Sequence, residues 1–168
     1  LILIIISFYQ FGVIIGTLIL VALYQILKLL LPAFGYQFCE GNDIVHLYDT
    51  EKNPSNCIIL WEMERISFDT LKENGFKKTA IKNIKKFSQI PVNILGFWFW
   101  KDVDKSVAYD CVQACEQNIH SKEELLRYSE KLNSIKIPLS KPQWFVRFIE
   151  DYTEGKSACV LVFHHSFA

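Results

Sequence analysis

The stretch WFVRFIEDYTEGKSACVLVFHH, residues 144–165, decides the fold that we expect for this chain. It contains two runs of mostly apolar, aromatic and β-branched residues, 144–149 and 157–163, with a glycine among the polar residues between them. Two such runs joined by a glycine-containing turn are typical of a β-hairpin. The sequence therefore predicts a hairpin whose second strand leads directly into two adjacent histidines, His164 and His165.

These two histidines are the main candidates for chemistry. Side chains alternate between the faces of a strand, so His164 should share a face with Val160 and Val162, while the ring of His165 points the opposite way. Opposed rings are poor joint ligands, and we predict no metal site. A neutral imidazole at a strand end suits general-base work on a hydroxyl that attacks an activated acyl group, while its neighbour hydrogen-bonds into the scaffold. On spacing alone, two polar residues that simply end a strand are the favoured alternative.

Helix signals occur at two places before the hairpin. Ser121, followed three residues later by a glutamate, forms a capping box that begins a helix over residues 122–133. Ser67 or Asp69 caps an earlier helix that ends near Ile84. Together with the strands, these helices predict a mixed α/β (α+β) layer rather than a helical bundle.

Strand signals alternate with the helices. The run Cys57–Met63 predicts a buried strand, residues 90–112 predict strands with a break, and Ser106–Val112 alternates well enough to be one of them. Pro138 and Pro142 then enforce an extended linker that leads into the hairpin.

Aromatic and basic residues cluster near the middle of the chain. The run Asn93–Trp100 is too aromatic to face solvent, so we expect it to form core, with the wall of an apolar ligand groove as the alternative. A lysine run on the helix before it predicts a solvated face, with contact to anionic headgroups or a nucleotide phosphate as the alternative. That run consists of Lys77, Lys78, Lys82, Lys85 and Lys86.

The N-terminal segment has the composition of a membrane span. No charged residue occurs in Leu1–Leu27, and a helix of that length would be about 40 Å long, more than the roughly 30 Å of a bilayer core. Tyr24 and Lys28 suit an anchor at the membrane interface. We therefore predict a transmembrane helix over residues 1–31 and the lipid bilayer as a partner. A signal peptide and a buried core helix are the alternatives.

Composition excludes some functions and partners. Eighteen basic residues balance 18 acidic ones, so no overall field attracts nucleic acid, and we predict no nucleic-acid partner. The five cysteines are irregularly spaced, which favours ordinary thiols in a reducing compartment over a disulfide framework. Cys111 and Cys115 could meet on a helix, but no further pair completes a tetrahedral metal site.

The ending HHSFA, residues 164–168, resembles the first five residues of the HHxxxDG motif of acyltransferases with the chloramphenicol-acetyltransferase-like fold. PLSKPQW, residues 138–144, followed by the hairpin, is similar to the wax ester synthase/diacylglycerol acyltransferase family, with Gln143 where that family usually has leucine. Weaker similarity reaches back to about residue 33, through the segments EKNPSNCIILWEME, ISFDTLKENGF and FWKDVDKSVAYDCV.

The resemblance implies the N-terminal half of a two-subdomain fold, so residues 32–168 would be a partial N-terminal acyltransferase subdomain. The aspartate and glycine of the motif would fall on positions 169 and 170. The second subdomain, which completes the acyl-CoA site in that family, would be absent. We therefore expect the fragment to be inactive alone.

The resemblance also implies an activity. His165 would be the general base and His164 a supporting residue, in a transfer of a fatty acyl group from acyl-CoA, as co-substrate and without a cofactor, to a long-chain alcohol or diacylglycerol. The products would be wax esters or triacylglycerol. The expected location is a single-pass membrane protein, in the endoplasmic reticulum if eukaryotic, with the catalytic domain on the cytosolic side. The alternatives are a non-catalytic, membrane-tethered lipid-binding relative and another acyltransferase or condensation enzyme of the same superfamily.

Overall fold

The structure is a computed structural model that describes residues 2–167, with side chains for residues 9–167. Seven strands and several helices make up this part of the chain. The strands are β1 Tyr36–Phe38, β2 Asn56–Glu64, β3 Gln89–Ile94, β4 Phe97–Asp102, β5 Val112–Ala114, β6 Trp144–Thr153 and β7 Lys156–His164. The α-helices are α1 Ile2–Leu30, α2 Gly41–His46, α3 Phe68–Thr70, α4 Ile81–Asn83, α5 Lys105–Tyr109 and α6 Lys122–Asn133.

The strands form two sheets. The larger has the order β2-β7-β6-β5, in which only β5 and β6 run parallel, and the smaller has the order β1-β4-β3 and is antiparallel. The predicted hairpin is confirmed as β6 and β7, and both strands are longer than predicted. The turn shrinks to two residues because Gly155 adopts a φ of 68°, a left-handed conformation that glycine allows without steric cost.

The larger sheet is covered on both faces. On one face, Val160 and Val162 pack with Leu125 and Leu132 of α6. On the other, Leu161 packs into a core that contains side chains from residues 68–83 and from α5. The faces of β7 therefore alternate as the sequence predicts, and the mixed α/β fold class is confirmed.

The α6 helix spans the predicted residues, Lys122–Asn133. Its N-cap is also as predicted, since the Ser121 hydroxyl accepts a hydrogen bond from the Glu124 backbone nitrogen at 3.2 Å. The Glu124 carboxylate, however, accepts from the backbone nitrogen of His120 at 2.8 Å rather than from that of Ser121. The capping box therefore stabilises the first turn of α6, although its glutamate bonds to the residue before the N-cap instead of to the N-cap itself.

Residues 68–83 form one continuous helical segment, with Ser67 as the predicted N-cap. Its central part, Leu71–Ala80, is π-helical, which the sequence did not indicate. The hydroxyl of Thr79 donates to the carbonyl of Asn74, five residues earlier, at 2.7 Å. This bond follows the wider π spacing, which is rare and recurs at functional sites.

Two sequence predictions need correction. Ser106–Val112 is not a strand: Lys105–Tyr109 is helical because the Asp104 carboxylate caps it by accepting from the Ser106 backbone nitrogen at 2.8 Å. The strand predicted at Cys57–Met63 exists, but it lies at the edge of the sheet and none of its residues is buried. An edge strand has a neighbour on one side only, so its side chains are less covered.

The aromatic run in the smaller sheet is core, as expected. Trp98 and Trp100 pack with Cys39 and Leu47, while Phe99 is buried on the opposite face of β4. These three residues end the run 93–100, whereas Asn93, Leu95 and Gly96 in its first half are exposed.

The α1 helix is long and apolar. Residues Tyr9–Phe34 form a 26-residue stretch that is long and apolar enough to cross a membrane, and none of its most apolar window is buried. The α-helix ends at Leu30, close to the predicted end at residue 31, and a 3-10 turn, Leu31–Phe34, follows it. Leu1 and Ala168, which belong to the predicted helix and motif, lie outside the described residues.

Candidate active site

The two histidines occupy different elements. Strand β7 ends at His164, and residues His165–Phe167 form a 3-10 turn. His164 and Ser166 are buried and Phe167 packs edge-to-face on Phe87, whereas His165 is exposed. Strand alternation predicted that the two rings point in opposite directions. Strand β7 ends at His164, however, so His165 lies outside the strand and alternation does not explain its orientation. The tight turn, with buried residues on both sides of His165, separates their environments instead.

His164 is hydrogen-bonded through both ring nitrogens. Its Nδ1 lies 2.8 Å from the Ser166 hydroxyl and accepts from the Ser166 backbone nitrogen at 3.2 Å. Its Nε2 lies 3.1 Å from Oδ2 of Asp49. A backbone N–H can only donate, so Nδ1 must be the acceptor and Nε2 must carry the proton. The neutral ring therefore donates to Asp49.

Burial lowers the pKa of His164, although the Asp49 carboxylate opposes that shift. Positive charge on His46 or His165 would lower it further. A second proton on Nδ1 would also face the Ser166 backbone N–H, so the charged form loses a hydrogen bond. His164 is therefore a neutral hydrogen-bonding residue at neutral pH, and its contact with Asp49 is not an ion pair there.

Asp49 holds the network together. Its carboxylate lies 2.9 Å from Nζ of Lys136 and accepts from the Ser55 backbone nitrogen at 3.0 Å. Lys136 also donates to the backbone carbonyl of Asp49 at 2.7 Å. Burial raises the pKa of this carboxyl, but the bonds from Lys136, Ser55 and His164 outweigh burial and leave the pKa below its usual value. Asp49 is therefore ionised and well supplied with donors.

His165 is fixed through its backbone and leaves its ring accessible. Its backbone nitrogen donates to the Ser55 carbonyl at 2.7 Å. Its ring stacks on that of His46, the last residue of α2, with the centroids 4.4 Å apart and the planes 15° from parallel. Within residues 2–167, neither ring nitrogen of His165 has a hydrogen-bond partner. An exposed imidazole of this kind can accept a proton from a bound hydroxyl group.

Sequence reasoning missed Asp49, Lys136 and His46. Asp49 lies 115 residues from His164 and 87 from Lys136 along the chain, so no local pattern connects them. The segment 53–56 gave a partial signal through its similarity to a family motif. Its Ser55 bonds to His165, and Asn56 pairs with His164 in the sheet.

A cavity of about 270 Å³ lies beside this network without containing either histidine. Ile137 and Trp144 provide apolar lining, and Lys136, which binds Asp49, lines it as well. In the described part of the chain, no cluster of three or more histidine, cysteine or carboxylate side chains could hold a metal ion.

Burial raises the pKa of three thiols, to about 12 in Cys39 and Cys159 and about 11 in Cys111, so these groups are protonated and unreactive. Cys111 and Cys115 do not share a helix, since the first follows α5 and the second follows β5.

No protein-family model matches the chain, and no curated protein matches it. Several solved structures do match. The wax ester synthase/diacylglycerol acyltransferase from Marinobacter aquaeolei VT8 has a TM-score of 0.62 at 18% identity, over 79% of this chain and 35% of that protein. The chain has a chloramphenicol-acetyltransferase-like fold.

Condensation domains share that fold. The four-domain nonribosomal peptide synthetase AB3403 has a TM-score of 0.59 at 12% identity, over 79% of this chain and 10% of that protein. A variant of the starter condensation domain of rhizomide synthetase RzmA, in complex with C8-CoA, has a TM-score of 0.57 at 8% identity, over 79% and 31%. This chain thus spans about a third of the acyltransferase's length, and the likeness shows a shared fold.

Proposed function

We propose that the protein is a membrane-bound, acyl-CoA-dependent O-acyltransferase. It transfers a fatty acyl group to a long-chain alcohol or to diacylglycerol, with His165 as the general base. The observation that carries this proposal is the placement of His165: an exposed imidazole next to a buried, hydrogen-bonded His164, in a fold of acyltransferases and condensation enzymes. The complex of one such condensation domain with C8-CoA supports acyl-CoA as the donor.

The reaction follows from the position of that imidazole. Its unprotonated nitrogen takes the proton of the acceptor hydroxyl as the oxygen attacks the thioester carbonyl. The tetrahedral intermediate then collapses to the ester and expels the CoA thiolate, which takes the proton back from the imidazolium of His165. Because the proton ends on the CoA thiol, His165 is regenerated and no cofactor is needed. His164 has its nitrogens engaged by Asp49 and Ser166, so its role is to position the turn.

The same proposal includes attachment to a bilayer through α1, which is exposed and is long and apolar enough to cross a membrane. A lipid acceptor dissolves in the membrane, so an anchor concentrates the enzyme near its substrate. In a eukaryote we propose the endoplasmic reticulum, with the catalytic domain facing the cytosol. The rest of the acyl-CoA site would come from a second subdomain, because the related acyltransferase is almost three times as long as the matched region.

The test is an assay of the full-length protein, purified from membranes in detergent, with radiolabelled palmitoyl-CoA. Hexadecanol, dioleoylglycerol and an aminoacyl thioester are offered in separate reactions. Formation of wax ester or triacylglycerol supports the proposal. Amide formation with only the third acceptor would identify a condensation enzyme, and an absence of product with all three would identify a non-catalytic relative.

A further inference from the structure

The turn between β3 and β4 combines an unusual backbone with an exposed apolar side chain. Leu95 has a φ of 53° and Gly96 a φ of 88°. A two-residue hairpin turn with two positive φ values favours Asn-Gly, and leucine in this conformation is strained. Leu95 is also 69% exposed. Neither packing within the described residues nor backbone preference explains a leucine here.

Aromatic contacts hold this turn beside the C-terminal end of α1. Phe97, the first residue after the turn, has its ring 5.7 Å from that of Tyr24, and Phe38 packs edge-to-face on Tyr24 at 5.0 Å. Tyr24 precedes the helix end at Leu30 by about 9 Å at 1.5 Å per residue. The tip of the hairpin therefore lies next to the last turns of α1.

The composition and length of α1 indicate how deep the tip of the β3–β4 hairpin lies relative to the bilayer. A bilayer core needs about 20 apolar helical residues, whereas α1 has 29. The uncharged residues of α1 end at Leu27, so the turns around Lys28 lie in the headgroup region if those residues span the core. Lys28, the charged residue of this end, has its ammonium 5.8 Å from the Tyr24 ring. A tyrosine with a neighbouring lysine is a typical pair at a membrane interface.

Further exposed apolar residues surround the same end of α1. Leu29 is 80% exposed and Phe34 73% exposed. Lys101, on the adjacent strand β4, lies with its ammonium 5.6 Å from the Tyr36 ring. Apolar side chains that project beside basic ones suit the boundary between phospholipid headgroups and acyl chains.

We propose that the β3–β4 turn, with Leu95 at its tip, inserts into the headgroup boundary of the bilayer that α1 spans. This inference rests on the proposed membrane attachment of α1. The opposite face of the same small sheet packs on α2 through Trp98 and Trp100, and the last residue of α2 stacks on His165. Insertion of the turn therefore fixes the position of the candidate base relative to the membrane surface.

The experiment places a photo-cross-linking amino acid, benzoylphenylalanine, at single positions of the full-length protein in nanodiscs that contain radiolabelled phosphatidylcholine. The positions are Ile19 in the middle of α1, Leu95, and Glu154 in the exposed β6–β7 turn as a matched hairpin control. We expect lipid adducts at 19 and 95 and at least tenfold less at 154. All three side chains are exposed, so the substitutions leave the core intact.

The outcomes separate this inference from the proposed attachment. Adducts at 19 but not at 95 would overturn insertion of the turn and leave the membrane span in place. An absence of adducts at 19 would overturn the span, and the insertion with it. Equal adducts at 95 and 154 would show unspecific contact, which also overturns the inference.

Discussion

Asp49 and His164 meet in a buried hydrogen bond, with Oδ2 of Asp49 3.1 Å from Nε2 of His164. The two side chains are 4% and 3% exposed, and the same carboxylate binds Lys136. This bond connects the loop after α2 to the end of β7. It therefore holds the segment from which His165 projects, and it leaves the two adjacent histidines in different environments, one buried and one exposed.

His165→Ala should abolish ester formation while leaving the fold intact. Loss of a general base costs about 10²–10⁴ in rate, and an exposed side chain contributes little to stability. The measurement is turnover of labelled acyl-CoA by the full-length protein, together with its melting temperature. His120→Ala, another exposed histidine, is the matched control and should keep full activity. Most of the activity remaining in His165→Ala would remove it from the role of base.

His164→Ala should reduce activity less than His165→Ala but reduce stability more. The substitution leaves the buried Asp49 carboxylate without one donor and Ser166 without its partner, a loss of about 1–3 kcal/mol. Thermal unfolding of the purified protein measures the stability, and the ester assay measures the activity. A loss of activity equal to or greater than that of His165→Ala would show that the roles are reversed.

Asp49→Asn should destabilise the protein by roughly 3 kcal/mol, because it leaves the Lys136 ammonium without its partly buried counter-charge. Asp151→Asn is a suitable control, since Asp151 pairs with Arg65 on an exposed surface, where such a pair contributes about 0–1 kcal/mol. Denaturant unfolding gives both values. A double variant with His164→Gln should lose less than the sum of the two single losses, because the residues share one bond. Additive losses would contradict the network.

Local signals in the sequence were enough for the hairpin and for α6. Gly155 allows the tight turn of the hairpin, and Ser121 caps α6. Residues next to each element therefore determine where it forms. The edge position of β2 and the π-helical part of residues 68–83 depend on packing between distant segments, which no local pattern encodes. The helix at Lys105–Tyr109 was missed because Val107 and Tyr109 mimic the alternation of a strand.

The candidate site likewise has one part that a local sequence pattern reveals and another part that depends on packing between distant segments. The histidine pair is visible as a motif, and similarity to a family suggested a role for each member. Asp49 bonds to His164 and Lys136 bonds to Asp49, and only the fold brings these distant positions together. The stacked partner of His165 likewise comes from α2, and its position depends on the packing of α2 against the smaller sheet.

Stability should decrease as the pH falls below about 6.5, the ordinary pKa of histidine. Because the folded pKa of His164 is lowered, chiefly by burial, the unfolded chain binds a proton in this range that the folded protein does not. Acid therefore favours unfolding. The pKa of Asp49 is also lowered, so its contribution is present above about pH 4 and is lost only in stronger acid. The two effects occupy separate pH windows.

The His164→Gln variant isolates the histidine effect. Glutamine can still donate to Asp49 but does not titrate, so the difference in unfolding free energy between wild type and variant should shrink from pH 7.5 to pH 5 by up to about 1.4 kcal/mol per pH unit. The measurement is denaturant unfolding of the full-length protein at several pH values in that range. The control is His120→Gln, which makes the same substitution at an exposed histidine outside the Asp49 network. Parallel pH profiles for wild type and His164→Gln would mean that His164 carries the same charge in the folded and unfolded protein, and the neutral ring assigned to it would then be wrong.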